Sequence, residues 1–174
     1  AFANFERVVE GWYWVLKARA LKKGRIKPIN VMGRELVVYR GDDGVVRCMD
    51  AYCPHMGAHL AEGRVDGAGV RCFFHHWKLS DEGEVTDIPC QDRPTKATNR
   101  VWPVEEKYGM IWLWTGETPR YPVPFIPELD GEELDYSHGN QFEKGCHPNV
   151  VMVNAIDEQH FHSVHPMASS LADG

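Results

Sequence analysis

The chain has no surplus of positive charge: 19 Lys and Arg stand against 25 Asp and Glu, for a net charge of −6. Nucleic-acid surfaces are built on basic patches, so no nucleic-acid partner is expected. Long apolar runs are missing too. The stretch Ala1 to Leu21 is interrupted by Glu6, Arg7, Glu10, Lys17 and Arg19, which argues against both a signal peptide and a membrane anchor. It begins without Met, as a processed or trimmed start would. Cysteine is sparse and irregular: Cys48, Cys53, Cys72, Cys90 and Cys146 make an odd number with no repeating interval. That excludes a fully paired disulfide framework and fits free thiols in a reducing, cytoplasmic compartment. No segment repeats. With 174 residues, 43% of them hydrophobic and 25% charged, one core of ordinary size is within reach and a second large one is not.

Histidine supplies what cysteine does not. Two Cys/His pairs, Cys53-Pro54-His55 and Cys72-Phe73-Phe74-His75, are separated by the sixteen residues Met56 to Arg71. Each pair offers one thiolate and one imidazole. Together they match the ligand stoichiometry of a Rieske [2Fe-2S] cluster, in which two Cys hold one iron and two His the other. Neutral imidazoles in place of two thiolates raise the reduction potential, so the chemistry on offer is electron transfer. Tetrahedral zinc also takes two Cys and two His, but zinc fingers keep Cys with Cys and His with His along the chain. Here the order is Cys-x-His, then Cys-x2-His. Unrelated loop residues are the bland reading, and Gly57 and Trp77 weigh against it. Gly57 lets the backbone turn tightly so that amides point at sulfur, and Trp77 would shield a cluster from water.

The segments Cys53-Pro54-His55-Met56-Gly57-Ala58-His59-Leu60 and Cys72-Phe73-Phe74-His75-His76-Trp77 resemble the two cluster-binding loops of the Rieske family. High-potential members carry an extra Cys in each loop, joined by a disulfide, and a Ser after the second His. Ala58, Phe74 and His76 occupy those places. The resemblance therefore implies fewer donors to the reduced sulfurs and a potential toward the lower part of the range of about −150 to +300 mV. Oxygenase systems fed by NAD(P)H work there. His59 and His76 flank the ligands, yet the family spacing assigns neither.

Between Trp12 and Thr115, short β-prone runs alternate with turn signals: Ile26 to Met32, Glu35 to Arg40, Val45 to Met49, Val70 to Cys72, Arg100 to Glu105 and Met110 to Trp114. These predict a mainly β domain of antiparallel sheets carrying two cluster-binding loops. Gly41-Asp42-Asp43-Gly44 and Asp81-Glu82-Gly83-Glu84 read as hairpin turns. Met110-Ile111-Trp112-Leu113-Trp114 is apolar throughout, as in a core strand covered on both sides. Pro119, Pro122, Pro124 and Pro127 then rule out a regular element. The expected organisation is a Rieske domain at 1–116, a Pro-rich linker at 117–135, and at 136–174 the beginning of an α+β catalytic domain, apparently truncated.

The last part holds Asn154-Ala155-Ile156-Asp157-Glu158-Gln159-His160-Phe161-His162-Ser163-Val164-His165-Pro166. Three His and two acids in nine residues form a solvated helix face or a metal site. With the loops, the whole sequence resembles the large (α) subunit of Rieske non-haem iron oxygenases, whose mononuclear iron site opens with Asn-x2-Asp-x2-His-x4-His. Asn154, Asp157, His160 and His165 match at every spacing. The resemblance implies that Cys53, His55, Cys72 and His75 bind the cluster. It further implies that His160 and His165 bind mononuclear Fe(II) as two members of a 2-His-1-carboxylate triad, with Asp157 as the acid bridging to a cluster His of a neighbouring subunit. On a straight helix, however, His160 and His165 point about 140° apart. The helix must be distorted or end before His165, and Pro166 gives a reason. Glu158, His162 and His165 would share one face of an undistorted helix, so that set stays open.

In the family the third iron ligand is a distant Asp in a much longer catalytic domain, which implies that this sequence is part of a longer protein. The implied function is the terminal oxygenase component of a mono- or dioxygenase that hydroxylates an apolar, aromatic or steroid-like substrate with O2. The implied partners are a ferredoxin or an NAD(P)H-dependent reductase, and a homotrimer when full length. The loop sequence looks most like the group that includes ketosteroid 9α-hydroxylase and the Neverland enzymes. The rival is a Rieske ferredoxin-type electron carrier whose C-terminal extension is only structural. A redox-sensing regulator is a third class, for which no residue argues directly.

Overall fold

The computed structural model describes residues 9–125, 127–129, 145–146 and 148–164, with side chains left out at Pro148, Asn149 and His162. Among the described residues, eleven short strands form three antiparallel sheets. Strands β1 (Trp12–Lys17), β10 (Val104–Lys107) and β11 (Met110–Trp114) make one sheet, in the order β1-β11-β10. A second runs β2-β3-β4-β9, from β2 (Ile26–Val31), β3 (Arg34–Arg40), β4 (Val46–Asp50) and β9 (Val101–Trp102). The third runs β5-β6-β7-β8, from β5 (Arg64–Asp66), β6 (Gly69–Arg71), β7 (Lys78–Leu79) and β8 (Val85–Asp87).

The second sheet is buried on both faces, and its sequence shows why. Leu36-Val37-Val38-Tyr39 in β3 is a continuous apolar run, each residue at most 1% exposed. Alternation divides it between two cores. Leu36 and Val38 join Cys48, Trp102, Ile111 and Leu113 on one side. Val37 and Tyr39 join Met49, Leu60, Val70 and Leu79 on the other, together with Cys53 and Cys72. The second core thus ties the middle sheet to the two Cys/His loops.

The expected antiparallel β architecture is the one observed, with differences that have physical causes. Arg100 to Glu105 is not one strand: Pro103 lacks an N–H, and the run splits into β9 and β10, which serve different sheets. β1 lies in the aromatic N-terminal stretch and pairs Trp12 with Trp114 and Trp14 with Trp112. The predicted turns at 41–44 and 81–84 connect β3 to β4 and β7 to β8. Within the Pro-rich segment, Tyr121 packs edge-on against Trp114 with ring centroids 4.9 Å apart and its carbonyl accepts from Trp12 Nε1 at 2.8 Å. Val123 is fully buried.

The chain divides into two compact units, Val8–Tyr136 and Ala1–Arg7 with Ser137–Gly174. The latter contains α1 (Pro148–Ile156) and α2 (Glu158–Ser163). Among the described residues no helix is long and apolar enough to cross a membrane.

Tyr39 buries its ring completely, yet its hydroxyl finds no hydrogen-bond partner among the described residues. Burial pushes the phenol well above its usual range. Since an unsatisfied buried hydroxyl is a net cost, Tyr39→Phe should raise stability by about 1 kcal/mol. Urea unfolding of the two proteins checks this, and a lower midpoint for the variant would contradict it.

Candidate metal centre

The two Cys/His pairs sit on loops that the third sheet and the middle sheet present together. The first loop, residues 51–63, leaves β4. It is fixed at its base by Leu60 N donating to the Ala51 carbonyl at 2.7 Å, and it turns through Cys53 N to Ala58 O at 2.9 Å and Gly57 N to Cys53 O at 3.0 Å. Gly57 has φ 71°, so the tight turn expected at this residue is real and uses a conformation that glycine adopts freely. The second loop, residues 72–77, bridges β6 and β7, and Cys72 N donates to the Trp77 carbonyl at 2.9 Å to close it.

These turns separate sulfur from imidazole. Cys53 and Cys72 are buried, 4% and 2% exposed, and belong to the same core. Burial pushes the Cys53 thiol up, while the amides of His55 and Met56, which donate to its sulfur, pull it down. His55 and His75 lie at the surface with ring centroids 4.7 Å apart. Trp77, 9% exposed, stacks flat on His55 at 4.2 Å and 6°. On the other side Phe74 lies 4.0 Å from His75.

Paired thiols in the interior, paired imidazoles outside and amides aimed at sulfur are a donor set that fits a two-iron cluster with two Cys on one iron and two His on the other. Two Cys and two His could also surround one zinc, and it is the order Cys-x-His, then Cys-x2-His, that speaks against it.

A family model for the Rieske [2Fe-2S] domain matches residues 11–109. The chain belongs to this family. Its curated relatives include the cholesterol 7-desaturase of Bombyx mori, 39% identical in an alignment 168 residues long that covers 94% of this chain and 36% of the desaturase. A probable 3-ketosteroid-9-alpha-monooxygenase oxygenase component of Rhodococcus rhodochrous is 34% identical, over 92% of this chain and 42% of that protein. The Rieske chain therefore spans less than half the length of these relatives. Among solved structures, dicamba monooxygenase with non-heme iron and dicamba superposes with a TM-score of 0.62 at 25% identity, covering 67% of this chain and 37% of that one. The reduced complex between oxygenase and ferredoxin in carbazole 1,9a-dioxygenase gives 0.58 at 25% identity, over 65% and 30%. The resemblance to Rieske oxygenase large subunits thus holds along the chain.

Two aspects of the Rieske loops escaped the sequence reading. His59 has a structural part: its Nδ1 accepts from Ala61 N at 3.1 Å and caps the short 3-10 turn at Leu60–Glu62. Arg71, which directly precedes Cys72, donates to the His76 carbonyl at 2.7 Å. Beside the first loop, a cleft of about 720 Å³ is lined by Arg34, Glu35, Asp50, Tyr52, Asn99 and Arg100 among others.

In the other unit the helix breaks earlier than the Pro166 argument requires. Asp157 is extended, φ −85° and ψ 98°, and its carboxylate accepts from His160 N at 3.2 Å as the N-cap of α2. The break folds Asn154 back onto His160, side chain to side chain at 3.2 Å. Asn154, Asp157 and His160 are thereby brought together. His165 and the side chain of His162 lie outside the described residues, and so does any comparison with the Glu158, His162 and His165 set.

Proposed function

We propose that this Rieske chain is the electron-receiving part of a terminal oxygenase component, with its [2Fe-2S] cluster on Cys53, His55, Cys72 and His75. The observation that carries the reading is the separation of a buried thiol pair from a surface imidazole pair. The relatives, named as a desaturase and a monooxygenase component, support it. The cluster would supply one-electron transfer at a potential set by its two imidazole ligands. The protein's own part is to keep water from the sulfurs with Trp77 and the apolar core, and to present His55 and His75 at the surface where a donor can approach. A ferredoxin or NAD(P)H-dependent reductase in a cytoplasmic setting is the proposed donor, as the oxygenase and ferredoxin complex of carbazole dioxygenase suggests by analogy.

His160 and His165 are the proposed ligands of a mononuclear Fe(II), which would supply O2 activation toward a carbon of an apolar, aromatic or steroid-like substrate. Asn154 and the capping carboxylate of Asp157 hold His160 in place from two directions. Asp157 is also the proposed acid link to a neighbouring subunit in a homotrimer. In the full-length protein, His160→Ala should remove the third, chelatable iron and substrate-dependent O2 uptake while leaving the visible spectrum of the cluster intact. His162→Ala should leave all three irons. Iron counting by mass spectrometry with an oxygen electrode reads both, and loss of the third iron from His162→Ala instead would overturn the assignment.

A further inference from the structure

The second Rieske loop contains a conformation that needs support. His76 sits at φ +60°, the left-handed region that glycine enters freely and a residue with a Cβ enters only at a cost. It stands between the candidate ligand His75 and Trp77, which stacks on His55. A shift in this one peptide therefore reaches both imidazoles.

Four charged side chains, one from each strand of the third sheet, meet beside that peptide. Arg71 of β6 donates through Nε to Asp66 of β5 at 2.6 Å and through a terminal nitrogen to Asp87 of β8 at 2.7 Å. The same terminal nitrogen donates to the His76 carbonyl at 2.7 Å. Lys78 of β7 takes the other oxygen of Asp66 at 3.0 Å. Two cations and two anions balance, so the network adds little net charge near the cluster. What it supplies is geometry, because a planar guanidinium held by two carboxylates has little freedom left. The Arg71 side chain is only 16% exposed.

We propose that Arg71 is a positioning residue for the cluster: clamped by Asp66 and Asp87, it holds the His76 carbonyl, keeps the left-handed turn closed, and so fixes the His75 imidazole. This rests on the cluster assignment above. Lysine at 71 keeps the charge but has a single nitrogen and no fork, so it separates geometry from electrostatics.

The test uses the purified, cluster-loaded chain. Wild type, Arg71→Lys, Arg71→Gln and the double variant Arg71→Lys with His76→Gly are compared by the g values of the reduced cluster and by the rate of iron release to a chelator. Both single variants should release iron several-fold faster than wild type, with shifted g values and unchanged circular dichroism. Adding His76→Gly should bring release back toward the wild-type rate, because glycine needs no clamp. Should Arg71→Gln fail to fold, Asp87→Asn carries the same expectation from the exposed side of the network. An Arg71→Lys protein that matches wild type in both readouts overturns the proposal, and so does a double variant with no recovery. A wild-type chain without iron and sulfide overturns the cluster assignment itself. A normal wild-type cluster beside unchanged variants overturns only the role of Arg71.

Discussion

Cys72→Ala is expected to give a folded but colourless chain, with iron and sulfide falling from about two of each per chain to background. Cys72 is 2% exposed and belongs to the core formed with Val70, Leu79 and Met49. Trimming one sulfur from that core costs about 1 kcal/mol, which a domain with a stability of about 5–15 kcal/mol withstands. Cluster assembly has no such reserve, because the sulfur paired with Cys53 is gone and Cys48, the other buried thiol among the described residues, lies in the other core. His75→Cys is the informative contrast. It keeps four ligands but adds a negative charge, and the potential should drop toward the roughly −400 mV of all-cysteine ferredoxins. Iron and sulfide assays, circular dichroism and a redox titration read these outcomes. A Cys72→Ala protein that keeps its colour would remove this residue from the ligand set.

Gly69→Ala should be among the most damaging single substitutions in the chain, although it adds one methyl group. Gly69 lies in β6 opposite β7, and a Cβ there would stand 2.0 Å from the Leu79 carbonyl oxygen and 3.0 Å from its carbon. Those are backbone atoms of a paired strand, so no side chain can swing aside. The β6–β7 pairing must open, at a cost of about 3 kcal/mol or more. β6 and β7 carry the second Rieske loop, so cluster retention should fall together with stability. Thermal unfolding and cluster absorbance measured on one sample check both halves. An alanine variant with wild-type stability would mean that the strands approach each other less closely than described.

The sequence marked the candidate site more plainly than the sheets that hold it, for a reason found in the residues. Cys53, His55, Cys72 and His75 are read by chemical type and spacing, both of which survive without coordinates. The longer strands were legible because Leu36 to Tyr39 and Met110 to Trp114 are apolar runs between turn residues. β5, β7 and β8 are only two or three residues long, too short for any period to show. β1 shows no alternation, since Trp12-Tyr13-Trp14-Val15-Leu16 is apolar at five successive positions. Pro103 was the visible mark of the split between β9 and β10. The break at Asp157 was also marked, since an Asp directly before Glu158 is a good helix start. The Arg71 network could not be read in advance, because its four members are brought together only by strand register.

The most direct test of the account is metal and sulfide analysis of the purified chain together with the electron paramagnetic resonance spectrum of its reduced form. The account predicts about two irons and two acid-labile sulfides per chain and the low average g value of a cluster with two imidazole ligands. A colourless protein carrying one zinc and no sulfide would contradict it.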